Sequence, residues 1–501
     1  MIRAPLPLLV ALQAGVSAAS LVVEIVAGRM LAPYVGMSLY TWTAIIAVVL
    51  AGFSAGHWWG GRIAERPAPE ALRRTGWALL AAALTTGAAV ALLRLVADPV
   101  LAVAGHPVAG ITALAAAVFF LPSLFAGIPA PVLAQIAVTG SDRSGPALGA
   151  MFASGAVGAI AGTLLAGFLF IAWLGSTLTL AAVTAFYLAS AALCFWMGRS
   201  RPGAGSAFAG AAALALAATG LGRAAVCDTE SQYYCIRTVD LAADPSRPVN
   251  LMVLDHLAHG ISARDAPEVM FTEYTAMLDR IARARMAGRE FSSFFIGGGS
   301  YSVPRAWAER ETGPVTVAEI DPAVTETAAR DFWFDPESAR ILHADARRAL
   351  REDPRRYDVI VGDAFTDIAV PAHLVTREFF ELVRDRLEPG GVYLMNVVDF
   401  EHRLDALAAI AATLSRVFPS VEIWTEATPP APGERRVFVL AASDAPSAFS
   451  AFTVPAPAPT RFAALSDSFL DGLLAEKGAL VLTDDYAPID RLVGHDARPE
   501  G

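Results

Sequence analysis

The sequence predicts two unlike folds in series. An all-α transmembrane bundle of about seven helices comes first, followed by a Rossmann-like α/β domain of the class I methyltransferase type with a small β-rich lead-in. Three observations predict this. Residues 1–225 hold five acids against eleven arginines and carry +6, while the remainder carries −16. Hydrophobic residues make up 55% of the chain and mean hydropathy is +0.49, high for a wholly soluble protein. Between Phe291 and Asp367, four strand-like runs each end in glycine or an acid on what would be one sheet edge.

A membrane span needs about 20 apolar residues. Spans are expected near 6–27, 38–58, 76–97, 111–138, 146–171, 176–197 and 205–225, the last being weak and Ala-rich. The first is too long for a signal peptide. From Pro146 to Gly198 there is no Asp, Glu, Lys or Arg. Gly158 and Gly162 form a small-residue step suited to close helix packing. Pro122, Pro129 and Pro131 should break the fourth span. Glu24, inside the first, is either a functional carboxylate or a structural partner of Arg29 or Arg94.

Arg3, Arg62, Arg66, Arg73, Arg74, Arg143, Arg199 and Arg201 fall on alternate connections, which marks that side as cytoplasmic. The chain is thus expected in the cell membrane as a multi-pass protein with the bilayer as partner. Seven spans would put the acidic half outside the cytoplasm; six would return it. Cys227 and Cys235, eight apart, are a disulfide in an oxidising compartment or two thiols otherwise. No cysteine or histidine spacing suggests a metal site.

Four segments are expected: a transmembrane domain at 1–225, a β-rich lead-in at 226–285, a nucleoside-binding catalytic domain at 286–445, and a linker with an appended C-terminal segment at 446–501. In the catalytic domain the run Phe291–Ile296 reads as a buried strand. Gly297, Gly298 and Gly299 then let the backbone turn against a ligand. Glu319 lies 22 residues beyond Gly297 at the end of the next strand, where a ribose diol would sit. Asp345 and Asp363 end the third and fourth strands. The acidity of this half argues against nucleic acid as a partner.

Together, Glu230-Ser-x-Tyr233, Leu254-Asp255, Gly297-Gly-Gly299, Glu319-Ile-Asp321, Asp345-Ala346 and Tyr357-Asp-Val-Ile-x-x-Asp363 resemble the spermidine synthase (polyamine aminopropyltransferase) family. Leu31-Ala-Pro-Tyr34 and Leu39-Tyr-x-Trp42 resemble its branch fused to a polytopic membrane domain. The resemblance implies transfer of an aminopropyl group from decarboxylated S-adenosylmethionine to an amine such as putrescine, without a metal. It implies Gly297–Gly299 and Ser300 along the cofactor, Glu319 on the ribose, Asp345 and Ala346 at the adenine, and Asp363 as general base. An amine must shed a proton before its lone pair can attack the carbon beside a sulfonium, and a nearby carboxylate can take it. Asp367, Glu273, Asp485 and Tyr486 are weaker candidates for the amine, and a homodimer is left open.

The pattern departs from the family at several places. Ser300 stands where the family has an acid, and Phe271-Thr272-Glu273 replaces a Tyr-His/Gln-Glu run. Tyr234 and His259 occupy usual glutamine positions, and the spacing from Asp363 to Asp367 is one residue longer. Two other readings therefore stand beside the first: an S-adenosylmethionine-dependent methyltransferase, and a non-catalytic polyamine transporter or sensor.

Overall fold

A computed structural model describes residues 5–200, 203–364 and 370–493. It divides into two compact units whose boundary falls between Cys235 and Ile236. That is ten residues beyond the expected break after 225. The segment after the last apolar helix stays with the helical unit because Cys227 is disulfide-bonded to Cys235 and Arg29 holds the carbonyls of Ser231 and Tyr233.

The helical unit consists of α1 (Leu6–Val35), α2 (Leu39–Ala64), α3 (Ala68–Val103), α4 (Pro107–Gly127), α5 (Pro129–Thr139), α6 (Ser144–Leu165), α7 (Ile171–Met197) and α8 (Ala204–Leu221). Among the described residues, six stretches are helical, long and apolar enough to cross a membrane. The fifth, Ser144–Met197, has 54 residues. At 1.5 Å per residue this is about 80 Å, more than twice a bilayer core of roughly 30 Å. It is broken at Gly175, where φ is 69° and ψ 172°, so its two parts are each long enough to cross. The outer surface carries Phe152, Phe168, Trp173 and Phe208, each more than 70% exposed, a face suited to lipid rather than water.

Small residues set the helix spacing. A Cβ on Gly158 or Gly162 would lie 2.1 or 2.2 Å from the carbonyl oxygen of Ala14 or Ala18 on α1. Gly56 makes an equally close approach to Leu124 of α4. The expected break in the fourth span comes at Ile128, after which Pro129 opens α5, since a proline at the first helical position loses no hydrogen bond. Pro122 stays inside α4. Neither arginine pairs with Glu24: Arg29 is bonded to backbone carbonyls, and no ion pair to Glu24 forms among the described residues.

In the second unit, β1 (Cys235–Asp240), β2 (Val249–Leu254) and β3 (Leu257–Ala263) form an antiparallel meander, and helix α9 (Glu273–Arg285) follows. The main sheet contains β4 (Ser293–Ile296), β5 (Val315–Ala318), β6 (Arg340–Leu342), β7 (Tyr357–Gly362), β8 (Leu387–Phe400), β9 (Ser420–Glu426), β10 (Arg435–Ser443), β11 (Ala451–Val454) and β12 (Thr460–Ala464). Its order is β11-β12-β9-β10-β8-β7-β4-β5-β6. From β6 to β8 neighbours are parallel, and β10 runs antiparallel to both β8 and β9. Phe294, Phe295, Ile296 and Val359–Val361 are all at most 3% exposed, as expected for strands covered on both faces.

This is the Rossmann-like arrangement expected. Strand β4 has β5 on one side and β7 on the other, so the chain reverses direction across the sheet between β4 and β7. Ligands of open α/β sheets bind at that reversal, beyond the carboxyl ends of the strands. The Pro/Ala-rich stretch taken for the start of a linker is instead partly sheet. β11 and β12 pair antiparallel, and Phe449 and Phe452 pack on the buried Trp424, so aromatic burial outweighs the loop-like composition.

Candidate active site

The glycines lie at the end of β4. Gly297 has φ 93°, and a Cβ there would sit 2.6 Å from the carbonyl oxygen of Asp363. Any side chain would push the ends of β4 and β7 apart, so glycine is what lets the two strand ends meet at the reversal. Ser300 is 2% exposed and shares a 2.6 Å hydrogen bond with Ser302, which is itself 3.0 Å from Ser262. This hydroxyl is occupied by a serine chain linking the glycine turn to β3.

Glu319, 5% exposed, ends β5 beside that turn. It accepts from the backbone N–H groups of Gly298 (2.8 Å) and Asp321 (2.9 Å). Burial raises its pKa, and those backbone donors work against the rise. Asp345 follows β6 and caps α10 (Ala346–Glu352) through the N–H of Arg348 at 2.9 Å. Its other oxygen lies 2.7 Å from Nε2 of His373. Ala346, the first residue of α10, is 7% exposed.

Asp363 follows β7. A cavity of about 400 Å³ opens on it, lined also by His259, Glu273, Tyr274, Asn396 and Arg435. Asn396, 3% exposed, donates from Nδ2 to Asp363 Oδ1 at 2.9 Å, while its own Oδ1 is buried without a partner. Removal from water pushes the Asp363 carboxyl up to about 7, against the opposing hydrogen bond from Asn396. Burial first, then the neighbouring His256, holds His259 down at about 4, so its ring is neutral at physiological pH. Tyr274 donates to the His259 carbonyl at 3.0 Å, and burial followed by the Asp363 charge raises its pKa well above the usual value. Burial, with Glu426 nearby, also raises Glu273.

The pocket therefore gathers a carboxylate that titrates near neutrality, a second desolvated acid and a neutral imidazole. Such a cluster can attract a cationic amine and accept its proton. The structure brings together Gly297–Gly299, Glu319 and Asp363 at the sheet edge, and sets Glu273 on the cavity wall. Asp485 and Tyr486 do not line it: both are exposed, and the Tyr486 hydroxyl accepts from Arg491 at 2.8 Å. The neighbouring Asp484 is bound at 2.7 Å by both terminal nitrogens of Arg347. Asp367 lies outside the described residues. The sequence reading missed Asn396 and Tyr274. A lone amide within the apolar run Val392–Val398 was the available signal for Asn396, since a buried amide needs a partner.

Residues 295–450 match the family model described as "Spermine/spermidine synthase domain". A stretch of 150 residues, 27% of this chain, is 33% identical to half of the polyamine aminopropyltransferase of Vibrio vulnificus. Another of 121 residues is 33% identical to 21% of the N-terminal histidine N-methyltransferase of Emericella nidulans. The chain spans about half the length of the curated relatives it matches, or less. A probable spermidine synthase from Corynebacterium glutamicum, a solved structure, aligns over 53% of this chain and 99% of its own, at 21% identity and a TM-score of 0.45. The family match covers the glycine turn, Glu319, Asp345, Asp363 and Asn396 together, so the chain carries a C-terminal segment similar to the spermidine synthase domain.

Proposed function

We propose that the protein is a membrane-bound aminopropyltransferase that uses decarboxylated S-adenosylmethionine to alkylate an amine such as putrescine. The observation that carries this reading is Asp363: a desolvated carboxyl titrating near 7, with one side-chain donor, between the glycine turn and a cavity sized for a small amine. In this reading Gly297–Ser300 line the co-substrate, Glu319 holds its ribose, and Asp345 with Ala346 borders its adenine. Asp363 takes the proton of the acceptor as nitrogen attacks the carbon next to the sulfonium, and the thioether departs neutral. Glu273 draws the cationic amine into the cavity. Asp367 follows the base by four residues in the chain, and Asp485 and Tyr486 have no part at this cavity. The segments 236–285 and 286–493 act as one synthase domain carried by the helical bundle.

Ser300 favours a second reading. With an uncharged hydroxyl at the turn, a methyltransferase using ordinary S-adenosylmethionine is the competitor, and the likeness to a methyltransferase supports it. Mass spectrometry of products from full-length protein, putrescine and each cofactor separates the two. An aminopropylated product supports the first reading, and a methylated product supports the second. Binding without turnover favours a polyamine sensor.

Seven crossings with the arginine-rich connections in the cytoplasm would set the α/β unit on the extracytoplasmic side, and the disulfide between Cys227 and Cys235 supports that side. Supply of a cytoplasmic nucleoside supports the other. Protease accessibility on spheroplasts tests the placement: cleavage of the α/β unit from outside supports the first.

A further inference from the structure

The helical unit holds a cavity of about 260 Å³ where α1, α3, the Gly175 break and the segment Ala225–Glu230 meet. Its polar lining includes Arg29, Arg94, Ser176 and Glu230, and Met30, Val90, Leu93 and Val226 supply apolar walls. Arg29 is 8% exposed; Nη1 and Nη2 donate to the carbonyls of Tyr233 (2.6 Å) and Ser231 (3.0 Å), and Nε has no partner. The Nε of Arg94 is likewise buried and unpartnered. Among the described residues Arg94 makes neither an ion pair nor a hydrogen bond, although Asp98 follows one turn later on the same helix.

Glu230 forms no ion pair with either arginine among the described residues, and its single carboxylate offsets only one of the two positive charges. One of its oxygens accepts from the Ser176 N–H at 2.9 Å and the other from the Ser176 hydroxyl. Carbonyl acceptors likewise leave the charge of Arg29 intact. Two guanidinium ions and one carboxylate thus face one cavity within an otherwise apolar bundle, which leaves one positive charge without a counter-anion.

We infer that this cavity is a binding site for an oxyanionic group, a phosphate or carboxylate held between Arg29 and Arg94. Guanidinium groups present planar, paired donors that match such oxygens. The apolar walls and the volume leave room for more than a bare ion, so the group belongs either to a lipid headgroup or to a soluble anion. The site is separate from the Asp363 cavity and does not depend on its activity.

Thermal unfolding of the full-length protein in neutral detergent tests this, with phosphatidylglycerol, phosphatidylcholine and inorganic phosphate as probes at constant ionic strength. A saturable rise in Tm with phosphatidylglycerol but not with the other two supports a lipid source. A saturable rise with inorganic phosphate supports a soluble anion. Arg94→Gln should weaken the response at least tenfold, and Arg94→Lys should keep part of it. Val90→Phe, which fills the cavity without changing charge, should also abolish it and guards against a misfolded arginine variant. Equal responses from wild type and Arg94→Gln, or no saturable response from wild type, would overturn the site.

Discussion

The two sides of the reversal between β4 and β7 are built on opposite principles. On the glycine side the acids already have partners: Glu319 accepts two backbone N–H groups, and Asp345 caps a helix and meets His373. On the cavity side the groups are desolvated and under-bonded: Asp363 has one side-chain donor, Asn396 leaves an oxygen unpaired, and His259 is kept neutral. Satisfied acids fix a shape, and starved ones keep a pKa where a proton can move. In the proposed function, binding belongs to the first side and chemistry to the second.

The largest expected effect comes from Asp363→Asn. General-base catalysis contributes about 10²–10⁴-fold, so turnover measured by mass spectrometry should fall by about that factor. Cofactor affinity by calorimetry should change only severalfold. Loss of both together would erase the division between the two sides.

Next comes Glu319→Gln, which should act on the opposite side. Hydrogen bonds to charged groups contribute about 1.5–3 kcal/mol, so nucleoside affinity should weaken by roughly 10–100-fold with a smaller change in turnover at saturation. A variant with normal affinity and poor turnover would reverse the assignment.

A smaller effect concerns pH. With the Asp363 carboxyl at about 7, kcat/KM should rise as pH climbs from 6 to 8, because only the ionised form accepts a proton. Asn396 donates to that ionised form, so Asn396→Leu should raise the pKa further and move the acidic limb to higher pH. A hydrogen bond of about 1 kcal/mol corresponds to a pKa rise of about 0.7 and so to a roughly threefold loss at pH 7. An unmoved limb would remove Asn396 as the group that tunes the base.

A final effect is on stability. The folded-state pKa of Asp363 lies above its unfolded value of 3.8, so between pH 4 and 7 the folded state binds more protons and loses stability as pH rises. A rise from 3.8 to about 7 is worth about 4 kcal/mol, so Asp363→Asn should unfold on the order of 10 °C higher than wild type at pH 8 and by much less at pH 4. A Tm difference independent of pH would mean that the carboxyl is not desolvated.

By itself the sequence determined the division into an apolar and an acidic half, the apolar spans, the order of strands ending in glycine or acid, and Asp363 as the residue of interest. Each of these is written in local pattern: span length, hydropathy and the spacing of turn residues between apolar runs. Only the tertiary structure decided what those residues meet. Asn396 reaches Asp363 from 33 positions away, the Ala451–Val454 strand joins an edge that its Pro/Ala-rich flanks do not suggest, and Arg29 turns from Glu24 to the carbonyls of Ser231 and Tyr233. Partners distant in the chain leave no periodic trace, because their pairing is set by how strands and helices are stacked and not by the residues beside them.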